Sequence, residues 1–468
     1  MKLVEDWKET GMLGVPVEMY RTSLGLSSRH TQTAVKLEKS GSEPSAGSDK
    51  DKAAQAGQSD PVRKRIEKAV ADLESARRLI AQLESSKNSS RYTVYEGTAA
   101  DDRINADDYA VIFAGAGNDT ISAQENAIID AGPGDDRVET YANAFVKGGD
   151  GNDYISTYAN SALFGDAGDD ILRAYDNSRL SGGAGDDEIR AYDRATVSGG
   201  AGNDRISTYN NAVIDAGAGD DHIKTYNNSD VSAGDGNDTI SAYDNANVLA
   251  GRGDDVISAY DKAYIDAGEG NDQIQVYNQG RVYAGEGNDS IIAYDSAHIH
   301  AGDGDDTVQT YDYAYVDGGA GNDVIGTGKN SRILAGDGDD RISAQDRSKV
   351  YGGNGNDYIS AGAEATVDGG AGTDRIQVGA GSRILFDKGS GNDVVSASGD
   401  ITVEIGAGYS REDMTVAQRD GKTIIAFNGT EDTLTLQLDA DAEARFLFAN
   451  EVSEDSSQTA PASNHETA

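Results

Sequence analysis

From residue 102 onward, aliphatic residues fall on a fixed beat. With Asp102 taken as position 6 of a repeating unit, position 8 is Ile, Val or Leu in every unit, from Ile104 through Ile206 to Ile376. Position 16 obeys the same rule, from Ile112 through Ile214 to Ile384. Every step is 17 residues, and 17 such units follow one another without a gap up to Asp374. A further unit, GSGNDV at 389–394, comes after a slip to 19. A typical unit, GGAGNDRISTYNNAVID at 199–215, holds two short apolar segments suited to β-strands, around positions 7–10 and 14–17. A Gly-rich hexapeptide separates them on one side, and a Tyr-Asp/Asn-Asn stretch, where Asn and Asp tolerate tight turns, on the other. Two strands and two turns per repeat predict one coil of a parallel β-solenoid. Stacked coils set like residues above like residues about 4.8 Å apart, so 17 coils predict a rod roughly 80 Å long.

The polar half of the pattern is as regular. Position 6 is Asp throughout, from Asp102 to Asp374. The central members are Asp119, Asp136, Asp153, Asp170, Asp187, Asp204, Asp221, Asp238, Asp255, Asp272, Asp289, Asp306, Asp323, Asp340 and Asp357. Two residues before them stand glycines, among them Gly117, Gly134, Gly151, Gly185, Gly202, Gly219, Gly236, Gly253, Gly270, Gly287, Gly304, Gly321, Gly338 and Gly355. Position 5 adds Asp or Asn in all units but the last, where Thr373 stands. Stacking therefore lines up a column of carboxylates. Neighbours about 4.8 Å apart repel by roughly 0.9 kcal/mol even in water.

Charge sharpens the problem. The chain has 468 residues with 40 Lys+Arg and 81 Asp+Glu, a formal net charge of −41. Residues 1–96 hold 16 basic and 14 acidic residues, net +2, so the remainder carries −43. Only 37% is hydrophobic and 7% aromatic, too lean for several packed cores. Two aliphatic side chains per coil contribute about 3–6 kcal/mol, against roughly 17–34 kcal/mol to fix the coil's backbone. Ladder hydrogen bonds offset this only modestly. A thin core under a column of acids needs cations to close. Carboxylates and turn carbonyls are hard oxygen donors that suit Ca²⁺ better than Mg²⁺, which demands tight octahedral geometry. There is no Cys and only 5 His, which argues against zinc or copper, disulfides and Cys nucleophiles. Such acidity repels nucleic acid and anionic membranes. No apolar run approaches a membrane span, and the N-terminus MKLVEDWKETGML carries no secretory h-region.

Positions 1–9 match GGxGxDxUx, in full at GGDGNDYIS (148–156) and GGAGDDEIR (182–190), with Ala often replacing the first Gly. This resembles the RTX (haemolysin-type) calcium-binding nonapeptide family, whose motif is a known Ca²⁺-binding repeat. The resemblance covers about 97–394. It implies an all-β, right-handed parallel β-roll, multiple Ca²⁺ ions held by the Asp side chains and Gly-turn carbonyls, and type I secretion through an uncleaved C-terminal signal. The family places nonapeptides back to back in an 18-residue coil. Here the second half has eight residues and no GGxGxD, as in AYDRATVS (191–198), so calcium is expected along one edge only. The terminal sites should be weaker: GTAADD (97–102) lacks the central Gly, and GGAGTD (369–374) loses the position 5 carboxylate or amide. GDAGDD (165–170) carries Asp166 where Gly is expected.

The expected organisation is an N-terminal segment at 1–40 without an interpretable motif, a flexible linker at 41–60, and a helix at 61–86. The β-roll follows at 92–394, a β flank or cap at 395–451, and a disordered tail at 452–468 as candidate export signal. The helix opens at Asp60-Pro61. It spaces Val62, Ile66, Ala69, Leu73, Ala76, Ile80 and Leu83 by fours and threes, a seam of about three heptads. It would self-associate, meet a partner helix or pack on the end of the roll. In the flank, TVAQRDGKTIIAFNGTEDTLTLQL (415–438) reads as a hairpin turning at Asp420-Gly421 and a further strand, capping the solenoid. Tyr holds position 11 in eleven consecutive coils from Tyr141 to Tyr311 and should stack as a ladder. Its central members Tyr175, Tyr192, Tyr209, Tyr226, Tyr243 and Tyr260 are a candidate ligand face for a polysaccharide or surface glycan, although a stabilising stack explains them as simply. His298 and His300 in HIH read as a solvated or packed pair. No HExxH, GxSxG or P-loop is present, and a ladder of identical acids singles out no glycosidase pair, so no enzyme is expected. The function expected is an extracellular or cell-surface calcium-binding repeat protein that folds on Ca²⁺ and serves as a structural or adhesion-type rod. The alternative is the calcium-binding module of a secreted polysaccharide-active or hydrolytic enzyme.

Overall fold

The computed structural model describes residues 63–66, 68 and 92–449. Segments 1–40 and 41–60, the tail 452–468 and every seam position of the helix except Ile66 lie outside the described residues. The fold is an all-β parallel β-solenoid with 17-residue coils. It divides into two units, one running to Tyr283 and the other from Ala284.

In the first unit each coil contributes one short and one long strand. The short strands occupy positions 7–10, from Arg103–Ala106 through Arg205–Thr208 to Gln273–Val276. They pair in parallel with a shift of one repeat, Arg205 against His222 and Ile206 against Ile223. The long strands, such as Val213–Ala218, run from position 15 to position 3 of the next repeat. They pair likewise, Ile214 against Val231 and Gly217 against Gly234. The inward residues follow from the two-residue strand period. Positions 8 and 16 are buried except at Ile104 in the first coil, Ile206 and Ile214 completely, and positions 10 and 14 hold small residues such as Ala191 and Ala195. Thr208 and Thr225 bring their hydroxyls within 2.8 Å inside the coil.

The second strand therefore lies later in the unit than the apolar pattern places it. Gly200 and Gly217 face each other within the ladder although each takes a positive φ, 126° and 119°. Only glycine holds that backbone without strain, and a Cβ on Gly217 would fall inside contact distance of the Gly200 carbonyl oxygen. The first part of the Gly-rich hexapeptide is thus sheet, and the turn itself shrinks to positions 4–6.

The other turn rests on a left-handed residue at position 13, as in Asn177 (φ 57°), Asn211 (58°) and Asn228 (57°). Asn tolerates this conformation, whereas other side chains lose about 1–2 kcal/mol. Tyr313 takes it at φ 62° with its side chain exposed. Tyr313→Asn is expected to stabilise the protein by about 1 kcal/mol, read as a raised thermal midpoint in calcium. An unchanged or lowered midpoint would show that the aromatic ring offsets its backbone strain.

Tyr141 to Tyr277 stack at position 11, with ring centroids 4.6–5.5 Å apart and planes within 15° of parallel. In the second unit Tyr294 and Tyr311 stack at 5.0 Å.

The second unit repeats the same coil, from Ser290–Ala293 and His298–Asp303 to Asn392–Ala397 and Ile401–Ile405. The chain then forms an antiparallel hairpin, Met414–Arg419 with Lys422–Phe427, turning at Asp420 and Gly421, both at positive φ. Thr433–Leu438 pairs in parallel with Asn392–Ala397, and Ala444–Phe448 with Ile401–Ile405. These two strands lay a final coil over the last repeat. Beneath them Phe386 and Phe427 stack at 5.5 Å, and the Tyr409 hydroxyl donates to Asp432.

Of the N-terminal helix, Arg63–Ile66 is described, and it does not pack on the end of the roll. Ile66 is buried in a cluster with Val213, Leu249, Tyr264 and Tyr283, on the outward side of the long-strand sheet of the first unit. Apolar residues at outward positions 15 and 17 create this patch.

Candidate metal centre

The Gly-rich turns bring the position 6 carboxylates into one column within each unit. Their side chains are almost fully buried, Asp204 at 1% and Asp221 at 2% exposure. One oxygen of each is used. Asp187 N–H donates to Asp204 Oδ1 at 2.9 Å and Asp204 N–H to Asp221 Oδ1 at 2.8 Å. The same link repeats from Asp102–Asp119 at 2.7 Å to Asp255–Asp272 at 2.8 Å. In the second unit it runs from Asp289–Asp306 at 2.8 Å to Asp357–Asp374 at 2.9 Å. Asp393, beyond the 19-residue slip, continues it at 3.0 Å.

In fourteen of them the other oxygen has no donor. Oδ2 is buried and unpartnered in Asp119, Asp136, Asp153, Asp170, Asp187, Asp204, Asp221, Asp238 and Asp255, and in Asp306, Asp323, Asp340, Asp357 and Asp374 of the second unit. A buried anionic oxygen without a partner is costly, and a whole column of them calls for a cation. The surroundings supply further oxygen. The space where a Cβ on Gly182 would stand is bordered by Asp187 Oδ2 and the Gly199 carbonyl oxygen, and that beside Gly199 by Asp204 Oδ2 and the Ala216 carbonyl oxygen. Carboxylate and carbonyl oxygens from successive coils thus converge inside the turn. Among the described residues no three His, Asp or Glu side chains converge closely enough to hold a metal ion by themselves. A cation here would complete its shell with main-chain carbonyls, which Ca²⁺ accepts at flexible geometry and Mg²⁺ does not favour.

Glycine at position 4 is what lets the coils close so tightly. Gly219 holds φ 127°, and a Cβ on it would meet the Gly202 carbonyl. At position 2, Asp166 stands at φ 81° in the place of glycine, with its carboxylate 3.9 Å from Lys147 Nζ.

Electrostatics register the missing charge. Burial raises these carboxyls, and neighbouring carboxylates raise them further against the lowering effect of the backbone N–H bond. Asp153 is pushed up to about 8. Asp170, Asp187, Asp204, Asp238 and Asp255 reach about 7, and Asp136, Asp221 and Asp272 about 6. In the second unit Asp306, Asp323, Asp340 and Asp357 rise to about 7 and Asp393 to about 8. Shifts of this size concentrate where a ligand is meant to sit.

The first turn is different. Asp102 Oδ2 accepts from Thr98 N–H at 2.6 Å and from Thr98 Oγ1 at 2.9 Å. Its second oxygen is thus already occupied.

Two features went beyond the sequence reading. The exposed position 5 side chains stitch the coils in the opposite sense. Asp220 N–H donates to Asn203 Oδ1 at 2.7 Å, and Asn237 N–H to Asp220 Oδ1 at 2.8 Å. Asp and Asn alternate along this outer column, as in Asp135, Asn152, Asp169 and again Asn203, Asp220, Asn237, Asp254. Alternation doubles the spacing between like charges and so halves their direct repulsion. The signal was present in the residue order at position 5. The second feature is the space beside a position 1 glycine, into which Oδ2 turns.

The tyrosines of the ladder cover one another's faces while Tyr175, Tyr192 and Tyr209 stay exposed. Asn210 Nδ2 donates to Asp193 Oδ1 and Asn227 Nδ2 to Asn210 Oδ1, both at 2.7 Å, forming an amide column alongside.

A solenoid in which turn after turn buries a carboxylate with one oxygen to spare fits a calcium-binding repeat protein. The family model for the RTX calcium-binding nonapeptide repeat (four copies) matches residues 96–127, 111–138, 175–193, 225–257, 317–346, 347–365 and 366–385. The chain thus carries several copies of the RTX calcium-binding repeat, set in a β-solenoid with 17-residue coils. No curated protein matches it.

Proposed function

We propose that the chain is an exported protein that folds on meeting calcium outside the cell and then serves as a structural or surface-interaction element. The supporting observation is the buried column of carboxylates whose Oδ2 atoms lack a donor. Ions bridging successive turns would neutralise it, and their binding would become folding free energy. Asp119 through Asp357, with the carbonyls of their Gly turns, are the proposed ligands, along one edge of the coil. Export through a signal in the C-terminal tail is part of this reading. A catalytic role is not proposed, because an acid–base pair needs two carboxyls in unlike environments, and the members of this column share one. An interaction role for Tyr175, Tyr192, Tyr209, Tyr226, Tyr243 and Tyr260 would run through phenol hydroxyls and ring edges.

A calcium titration of the metal-stripped chain, followed by circular dichroism and sedimentation, tests the reading. A change from coil to β signal and a fall in hydrodynamic radius are expected, reversed by chelator and not produced by Mg²⁺. A stripped chain that is already compact and cooperative at neutral pH overturns it.

A further inference from the structure

Positions 15 and 17 of the long strands point away from the core. On neighbouring coils they hold polar residues such as Thr196, Ser198 and Ser232. Val213, Leu249, Tyr264 and Tyr283 break that rule, yet all four are buried, sharing one cluster with Ile66. Ile66, from the helical turn Arg63–Ile66, is 5% exposed. Beside it Arg65 Nε and Nη2 donate to Asp230 Oδ2 and Oδ1 at 2.6 and 2.8 Å. Such a two-point pairing fixes orientation as well as charge. Asn247 Nδ2 also donates to Asp230 Oδ1, at 2.7 Å, so the next coil aims the carboxylate that the arginine meets.

The receiving residues come from five successive strands: Val213–Ala218, Asp230–Asp235, Asn247–Arg252, Tyr264–Glu269 and Arg281–Glu286. An unstacked chain has no such surface. An apolar knob beside an oriented ion pair is how an amphipathic helix is read by a receptor face.

We propose that this face is a helix receptor filled in cis by the segment that begins at Arg63. The segment is held only while the coils beneath it are stacked, so calcium loading docks it and calcium loss releases it. The calcium half rests on the function proposed above; the docking half does not.

Hydrogen–deuterium exchange on the full chain, with calcium and with chelator, reads the amides of residues 63–68 beside those of the solenoid. The variants are Arg65→Glu, Asp230→Arg, and the swap of Arg65→Asp with Asp230→Arg. Arginine already stands at position 15 in Arg179 and Arg281, so Asp230→Arg is expected to leave the calcium-induced β signal intact. The expected result is at least tenfold slower exchange at 63–68 in calcium. Each single reversal should abolish that protection and the swap should restore most of it. Unaltered protection in both single reversals overturns the receptor, as does rapid exchange at 63–68 while the solenoid shows its calcium-induced β signal. Protection that disappears on dilution also overturns it, since a second chain would then cover Ile66. If the β signal ignores calcium, the function proposed above fails. Charge-sensitive protection in the metal-free chain would then keep the receptor and overturn the calcium control.

Discussion

Asp187→Asn together with Asp204→Asn is expected to move the two states of the protein in opposite directions. The metal-free chain at neutral pH should gain β structure, and the calcium-loaded chain should lose stability. Asn retains the Oδ1 that accepts the N–H of Asp170 and of Asp187, at 2.8 and 2.9 Å. Its new Nδ2 faces the turn carbonyls of Gly199 and Ala216, which border the space beside each Oδ2. Lost are two charges that burial and like neighbours already resist. In calcium the same change withdraws two anionic ligands from adjoining turns. Affinity there should fall by about tenfold or more per site, roughly 1.4 kcal/mol each. Asp102→Asn is the control, since Thr98 already occupies its Oδ2, and it should alter neither state measurably. Paired thermal melts with and without calcium decide the matter. A double variant that weakens both states equally would mean that the column is structural and not a set of ion ligands.

Acid should substitute in part for calcium. An unfolded Asp titrates near pH 3.9, whereas the buried column titrates at about 6 to 8 in the fold. The folded state therefore holds more protons than the unfolded one between those values. By linkage, the stability these groups contribute is fully present below about pH 4 and is lost as pH rises through 6 to 8. Metal-free protein is expected to show β structure near pH 5 and to lose it near pH 8, opposite to ordinary acid denaturation. Calcium affinity should run the other way and fall as pH drops from 8 to 5, because protons and the ion compete for Oδ2. Circular dichroism of metal-free protein across this range reads the effect. More structure at the alkaline end would contradict the buried column.

Periodicity alone carries much of this architecture. A 17-residue beat of aliphatics places Ile206 and Ile214 inside, and the same beat stacks Tyr192 on Tyr209 and Asp204 on Asp221. What it does not carry is geometry finer than the beat. Gly217 reads as a turn residue, yet it pairs within the sheet, because glycine serves both extended left-handed backbone and turns. The direction in which Asp204 points is likewise invisible: one oxygen meets the Asp187 N–H and the other turns toward Gly199, and only stacked backbones determine which. The apolar spacing at 61–86 states that Ile66 wants a partner. It does not name Val213, Leu249, Tyr264 and Tyr283, which are scattered over some 70 residues and become neighbours only through the coil.

The alternation of Asp and Asn on the outer column has a consequence for how such a chain could lengthen or shorten. Excising a single coil from the stretch Asn203–Asp220–Asn237–Asp254 would set two acids, or two amides, directly above one another. Removing coils in pairs restores the order. A pair of coils is therefore the smallest piece whose loss keeps the alternation, which the adjacent acids at Asp169 and Asp186 interrupt.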